Sequence, residues 1–166
     1  MIAQFNFSRN VGQNIQGYNS LRLEGGKTLA VALCKNTTLT SLNLNNNNIG
    51  SERGKTFTDT LCKSTTLTSL DLNSNNLGLE AVKALADALY KNTTLISLNI
   101  SRNNLELEGG KALADALSRE KAFAYAPCNN TTLTSLDLSD NNLGTEGGKA
   151  LAGSISKNIS LKKFEP

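Results

Sequence analysis

The sequence predicts an α/β solenoid, a horseshoe arc of stacked units with parallel strands on the concave face and helices on the convex face. Two observations predict it. The stretch from Leu67 to Thr94 recurs, with counterparts starting at Leu39, Leu95 and Leu133 and a last fragment at Leu161, at intervals of 28, 28, 38 and 28 residues. A fixed period of that length marks a repeat architecture. Within each copy the apolar spacing then switches, from alternation at Leu70 and Leu72 to a helical pattern over Val82, Leu85, Ala86, Ala88 and Leu89. One strand and one helix cannot bury their apolar sides alone, so successive units must stack. Each helix returns the chain to the same end, which makes the strands parallel. Strands sit about 4.8 Å apart while packed helices need about 8–10 Å, so the stack bends with its strands inside.

Each element has a local reason. The first half of a unit reads LxxLxLxxNNL, as in Leu67, Leu70, Leu72, Asn75, Asn76 and Leu77, a short half-buried strand entering a turn. The recurring Asn47, Asn75, Asn103 and Asn141 fall where strand becomes loop. A buried turn leaves backbone donors and acceptors unpaired, and an amide carrying both kinds of group can bridge consecutive coils, so these four are read as structural. Gly50, Gly78 and Gly144 follow the next apolar residue, where a backbone that other residues resist is expected. The second half, Glu80 to Lys91, is an amphipathic helix of about three turns.

Together LxxLxLxxNxLGxEGxxALAxAL and the period of 28 resemble the leucine-rich repeat of the ribonuclease-inhibitor type, shared by Ran GTPase-activating proteins and the sensor regions of NOD-like receptors. The resemblance covers Asn19 to Phe164. It implies protein binding and little more; no cofactor and no metal are expected, because the chain has no His and no phosphate loop. The Asn-rich, nearly identical units are also similar to leucine-rich repeat proteins of host-associated bacteria, some of which are delivered into host cells as effectors.

Taken in order, residues 1–18 read as an N-terminal cap, 19–160 as repeats, and 161–166 as part of a terminal strand. In the cap, Phe5, Phe7 and Val11 look like a worn strand and turn, and about nine residues separate it from NSLRLEGGKTLA beyond what a regular unit would hold. The unit from Leu39 carries Phe57, Thr58 and Thr60 where other helices have Leu and Ala, which lowers its helix propensity. Glu and Lys recur three residues apart on every helix, from Glu24 and Lys27 to Glu146 and Lys149, as solvated faces. The ten extra residues, Arg119 to Cys128, enter after a helix reaching Ser118, and their Ala content would let that helix run on until Pro127. At the far end, Lys162, Lys163 and Pro166 are residues that blunt a sheet edge, leaving a monomer or a weak dimer through the terminal strand as the expectations.

Composition excludes several functions. There is no His, no phosphate loop and no nucleophile elbow, so the chain is read as non-enzymatic. A net charge of +3 with mixed signs along the helices gives no nucleic-acid tract. No apolar run suits a bilayer or a secretory signal, and the expected location is the cytoplasm, or a host cell if the chain is an exported bacterial protein. Cys34 and Cys62 occupy equivalent places about one helix-packing distance apart, beyond disulfide reach, and Cys128 is an odd third, so all three are read as free thiols.

The concave face is expected to carry three columns: Ser41, Ser69, Ser97 and Ser135; Asn43, Asp71, Asn99 and Asp137; and Asn45, Asn73, Ser101 and Ser139. Departures from the pattern mark candidate partner-binding residues. Ile96 replaces Thr, and Arg102 and Asp140 stand where other units have Asn or Ser. Glu106 replaces a Gly, and Tyr90 stands where Cys34 and Cys62 stand. The candidates for contact with a protein partner are Ile96, Asn99, Arg102, Asp137 and Asp140 on the strands, with Phe123 and Tyr125 of the insertion either folding back or reaching outward. The resemblance leaves two rivals to a binding module: a GTPase activator of the Ran type and a sensor-like piece of a larger receptor.

Overall fold

The computed structural model describes residues 12–14, 31–33, 35–61, 64–118 and 131–166. One six-stranded parallel sheet runs in chain order: β1 (Gly12–Asn14), β2 (Ser41–Asn43), β3 (Ser69–Asp71), β4 (Ser97–Asn99), β5 (Ser135–Asp137) and β6 (Lys163–Glu165). The helices α1 (Gly50–Leu61), α2 (Gly78–Lys91), α3 (Glu106–Leu117) and α4 (Gly144–Ile155) alternate with the last strands. Register follows the repeat, with Leu42, Leu70, Leu98, Leu136 and Phe164 opposite one another in turn.

The first strand departs from the sequence reading. It lies at Gly12–Asn14, after Phe5 and Phe7, and Gly12 pairs with Ser41, 29 positions on. The spacing is one residue longer than the 28 between Ser41 and Ser69, so the nine-residue excess is absorbed by placing the strand later. Residue type misled here, because backbone pairing to β2 needs no aromatic side chain. Phe5, Phe7 and the three Cys residues lie outside the described residues.

The core is a set of leucine ladders. Leu42, Leu70, Leu98 and Leu136 on the strands, with Leu44, Leu72, Ile100 and Leu138 behind them, are each no more than 1% exposed. Each such side chain contributes about 1.5–3 kcal/mol on leaving water. Helix α2 buries Ala81, Val82, Leu85, Ala86, Ala88 and Leu89 against them. In α1 the out-of-pattern Thr58 is also buried, and its hydroxyl donates to the Lys55 carbonyl at 2.9 Å, which removes the cost of an unpaired polar group. Exposed Lys–Glu pairs join Lys83 to Glu80, Lys111 to Glu108 and Lys149 to Glu146 at 2.8–3.3 Å. Helix α3 stops at Leu117, since Ser118 turns extended at ψ 131°. The helix therefore ends before the Ala-rich insertion, which lies outside the described residues, helix propensity being a weak prior.

Neighbouring helices are in close contact where small residues face each other. A Cβ added at Gly54 would lie 2.6 Å from the Ala81 Cβ and 3.0 Å from Leu77. Added at Gly109 it would meet Val82 at 3.5 Å, and at Gly110 it would meet the Gly147 Cα at 3.5 Å. Gly54, Val82 and Gly110 occupy one helix position and Ala81, Gly109 and Gly147 the facing one. Every facing pair therefore contains at least one glycine.

Each turn passes through left-handed backbone three times, as at Ser74, Asn76 and Gly78 with φ of 54°, 53° and 66°. Glu106 holds the third such place in its unit at φ 57°, a conformation costing a residue with Cβ about 1 kcal/mol. Glu106→Gly is expected to raise unfolding free energy by about 0.5–1 kcal/mol in urea titration. An unchanged or lowered midpoint would show that its contact with Asn104, 3.3 Å from Oε1, outweighs the strain.

Candidate functional site: the strand face

The strand face is held by the turn beneath it. Asn75, fully buried, donates from Nδ2 to the carbonyls of Leu72 and Asn73 in its own coil and of Leu44 in the coil before, at 2.9–3.1 Å. Its Oδ1 accepts the N–H groups of Asn47 at 3.0 Å and Ile49 at 3.3 Å. Asn103 repeats all five bonds, one coil on, with Leu72, Ile100, Ser101, Asn75 and Leu77. Asn141 donates to Ile100 and Leu138 and accepts from Asn103, while Asn47 donates to Leu44 and Asn45.

A second set of amides, of which Asn92 is buried and Asn36 and Asn158 are partly buried, has a role the sequence reading did not assign and serves the other end of the units. Asn92 accepts the N–H groups of Thr94 and Leu95 at 3.0 and 2.7 Å and donates to Leu61 at 3.0 Å. Asn158 does the same with Ser160, Leu161 and Leu117, and Asn36 accepts from Thr38 and Leu39. The recurring NTTL was the available signal.

On the face itself, the Ser column and the Asn/Asp column stand in register and half-exposed. The second column also has local work: Oδ1 of Asn43, Asp71, Asn99 and Asp137 each accepts the N–H two residues on, at 2.9–3.0 Å. These are Asx turns, in which one side-chain oxygen fixes the strand exit. The third column is less available than its place in the sequence suggests. Ser101 is buried, and Asn73 Nδ2 donates to its Oγ at 2.5 Å.

The strand candidates gather on two adjacent units, Asn99 and Asp137 on the strands themselves and Arg102 and Asp140 in the turns that follow. Asn99 and Asp137 are direct neighbours across β4 and β5. Arg102 Nε sits 3.0 Å from Asp140 Oδ2, both side chains about two-thirds exposed, a pair worth about 0–1 kcal/mol. Ile96 precedes β4 and is 46% exposed. It stands six residues from Arg102, roughly 20 Å along an extended chain, so the two mark opposite ends of the face. Phe123 and Tyr125 lie outside the described residues. On β6, Lys163 Nζ meets Glu165 Oε1 at 2.8 Å. That hydrogen bond, then the attraction of the same carboxylate, holds the Lys163 ammonium above its ordinary pKa, with Asp137 adding a smaller push.

Elsewhere the surface is shallow. A groove of about 450 Å³ between α2 and α3 is lined by Lys83, Ala86, Asp87, Tyr90, Ala112 and Asp115. Among the described residues no group of three or more His, Cys, Asp or Glu is placed to hold a metal ion. No described helix is long and apolar enough to cross a membrane.

The model of the leucine-rich repeat matches residues 35–52, 63–86, 91–114 and 129–152. No curated protein matches the sequence. Among solved structures, a chain of leiomodin-1 actin-binding site 2 is 25% identical with a TM-score of 0.66, over 86% of this chain and 75% of that one. The tropomodulin C-terminal domain of Caenorhabditis elegans is 17% identical with a TM-score of 0.68, over 87% of this chain and 81% of that one.

Proposed function

The chain belongs to the leucine-rich repeat family, and from that premise we propose that it is a protein-interaction module whose strand face, around Ile96, Asn99 and Asp137, receives a protein partner. The observation that carries the reading is the exposure of Ile96 on a face that, over β2 to β5, is otherwise built of Ser, Thr, Asn and Asp. A large aliphatic side chain left in water beside polar neighbours costs nothing to desolvate and gains on contact. Actin is the first partner to test, because the leiomodin-1 chain is an actin-binding site. Delivery into a host cell and GTPase activation, suggested by the resemblance, acquire no residue from the geometry.

The other units supply substitutions that spare the fold. Ile96→Thr installs what Thr40, Thr68 and Thr134 carry, and Asp137→Asn keeps the Asx turn that Asn43 and Asn99 make. In titrations against monomeric actin, Ile96→Thr is expected to weaken binding about tenfold, the equivalent of ~1.4 kcal/mol, and Asp137→Asn by less. Asp87→Asn on the helix side should change nothing. No binding by the intact chain removes actin. The strand-face reading itself falls if a partner captured and identified by cross-linking binds Ile96→Thr and Asp137→Asn as tightly as the parent chain.

A further inference from the structure

The edge strand β6 of the 166-residue chain presents a surface that complements itself. Lys163 N–H donates to Thr134 at 2.9 Å, and the Glu165 carbonyl accepts from Leu138 at 2.7 Å. Alternate peptide groups of a strand point to opposite sides, so the N–H and C=O of Phe164 face the open edge. Behind the edge of this 166-residue chain the apolar residues are less covered than in the preceding unit. Leu161 and Phe164 are only partly buried, where Leu133 and Leu136 of the preceding unit are 1% exposed, and Ile159 is 74% exposed.

We propose that β6 pairs antiparallel with β6 of a second copy about a two-fold axis through Phe164. In that register the two Phe164 residues exchange both outward hydrogen bonds, the closely spaced pair of an antiparallel ladder. Lys163 of each copy stands opposite Glu165 of the other, on the concave side. The internal Lys163–Glu165 bridge is thereby supplemented by two bridges between copies, a cross-strand pairing of opposite charge. The two β5 strands then lie roughly 14 Å apart, three strand spacings. Packed helices need about 8–10 Å, so the α4 helices that follow have room, and Leu161 and Phe164 of both copies line the space between. The alternative occupant of this edge is β1 of another copy. Gly12, Gln13 and Asn14 offer no charge to either Lys163 or Glu165, and such a head-to-tail contact builds open polymers, whereas the two-fold contact closes. This inference does not depend on the strand face binding any other protein.

Sedimentation equilibrium of the 166-residue chain, with circular dichroism confirming that each variant is folded, tests the register. The parent chain is expected at twice its 17.7 kDa monomer mass. Lys163→Glu alone and Glu165→Lys alone oppose like charges across the axis, and each is expected to dissociate at least tenfold more readily. Mixing the two variants in equal amounts restores both pairings, and the dimer should return. A parent chain that is monomeric up to its solubility limit, or that forms open polymers, overturns the proposal. So does a mixture no more associated than its components.

Discussion

Replacing Asn103 by Leu should cost about 3–5 kcal/mol of unfolding free energy, the range of changes that break a buried network. The side chain is fully buried and makes five hydrogen bonds, two as acceptor from Asn75 and Leu77 and three as donor to Leu72, Ile100 and Ser101. Leu has similar volume and restores none of them. Each buried backbone group left alone costs about 1–3 kcal/mol, and relaxation of the turn recovers only part. Urea unfolding gives the value directly. The comparison is Asn76→Gly, an exposed Asn at φ 53°, which should stay within about 0.5 kcal/mol of the parent. A loss below about 1 kcal/mol for Asn103→Leu would mean that water replaces the amide and that the bonds between coils hold little together.

The second large effect is at Gly54. In an isolated helix Gly→Ala stabilises by about 1 kcal/mol, and here the sign should reverse. The new Cβ would stand 2.6 Å from the Cβ of Ala81 and 3.0 Å from Leu77, and neither a backbone-fixed methyl nor a packed leucine can swing away. Overpacking of this kind costs about 1–3 kcal/mol. Ala81→Gly in the same chain removes the obstruction, so the double variant should be more stable than Gly54→Ala alone although it carries another helical glycine. A double-mutant cycle measures the coupling. Additive effects would show that α1 and α2 simply move apart.

The architecture was readable because its signals repeat. Alternation at Leu70 and Leu72, then helical spacing to Leu89, identifies the unit, and five units in register leave one way to stack. The candidates Asn99 and Asp137 pair across neighbouring strands, and Arg102 and Asp140 across the turns that follow them, because a fixed period places equivalent residues side by side. What escaped depends on contacts between units. The facing of Gly54 with Ala81 is invisible along either helix, since glycine there reads only as poor helix former. Ser101 looks outward by alternation, yet the coil beside it supplies Asn73 and closes over it. The second amide set at Asn92 and Asn158 was hidden in a loop motif, where Asn is expected for turn chemistry alone. The strand at Gly12–Asn14 carries no apolar residue, so periodicity had nothing to register.

The Asn network between coils is directional, and that gives the stack a polarity. In each step the later unit supplies the side chain and the earlier unit supplies the backbone groups: Asn75 serves Leu44, Asn47 and Ile49, and Asn103 serves Leu72, Asn75 and Leu77. A unit is thus finished by its successor. Cooperativity in such an array is a nearest-neighbour coupling, and here its two directions differ in kind. Deleting a unit from the C-terminal end strips the neighbour of a partner for its main chain, whereas deleting one from the N-terminal end leaves a side-chain amide with only the carbonyls of its own coil. Main-chain groups cannot turn toward water as a side chain can, so unravelling from the two ends should differ in rate as well as in energy.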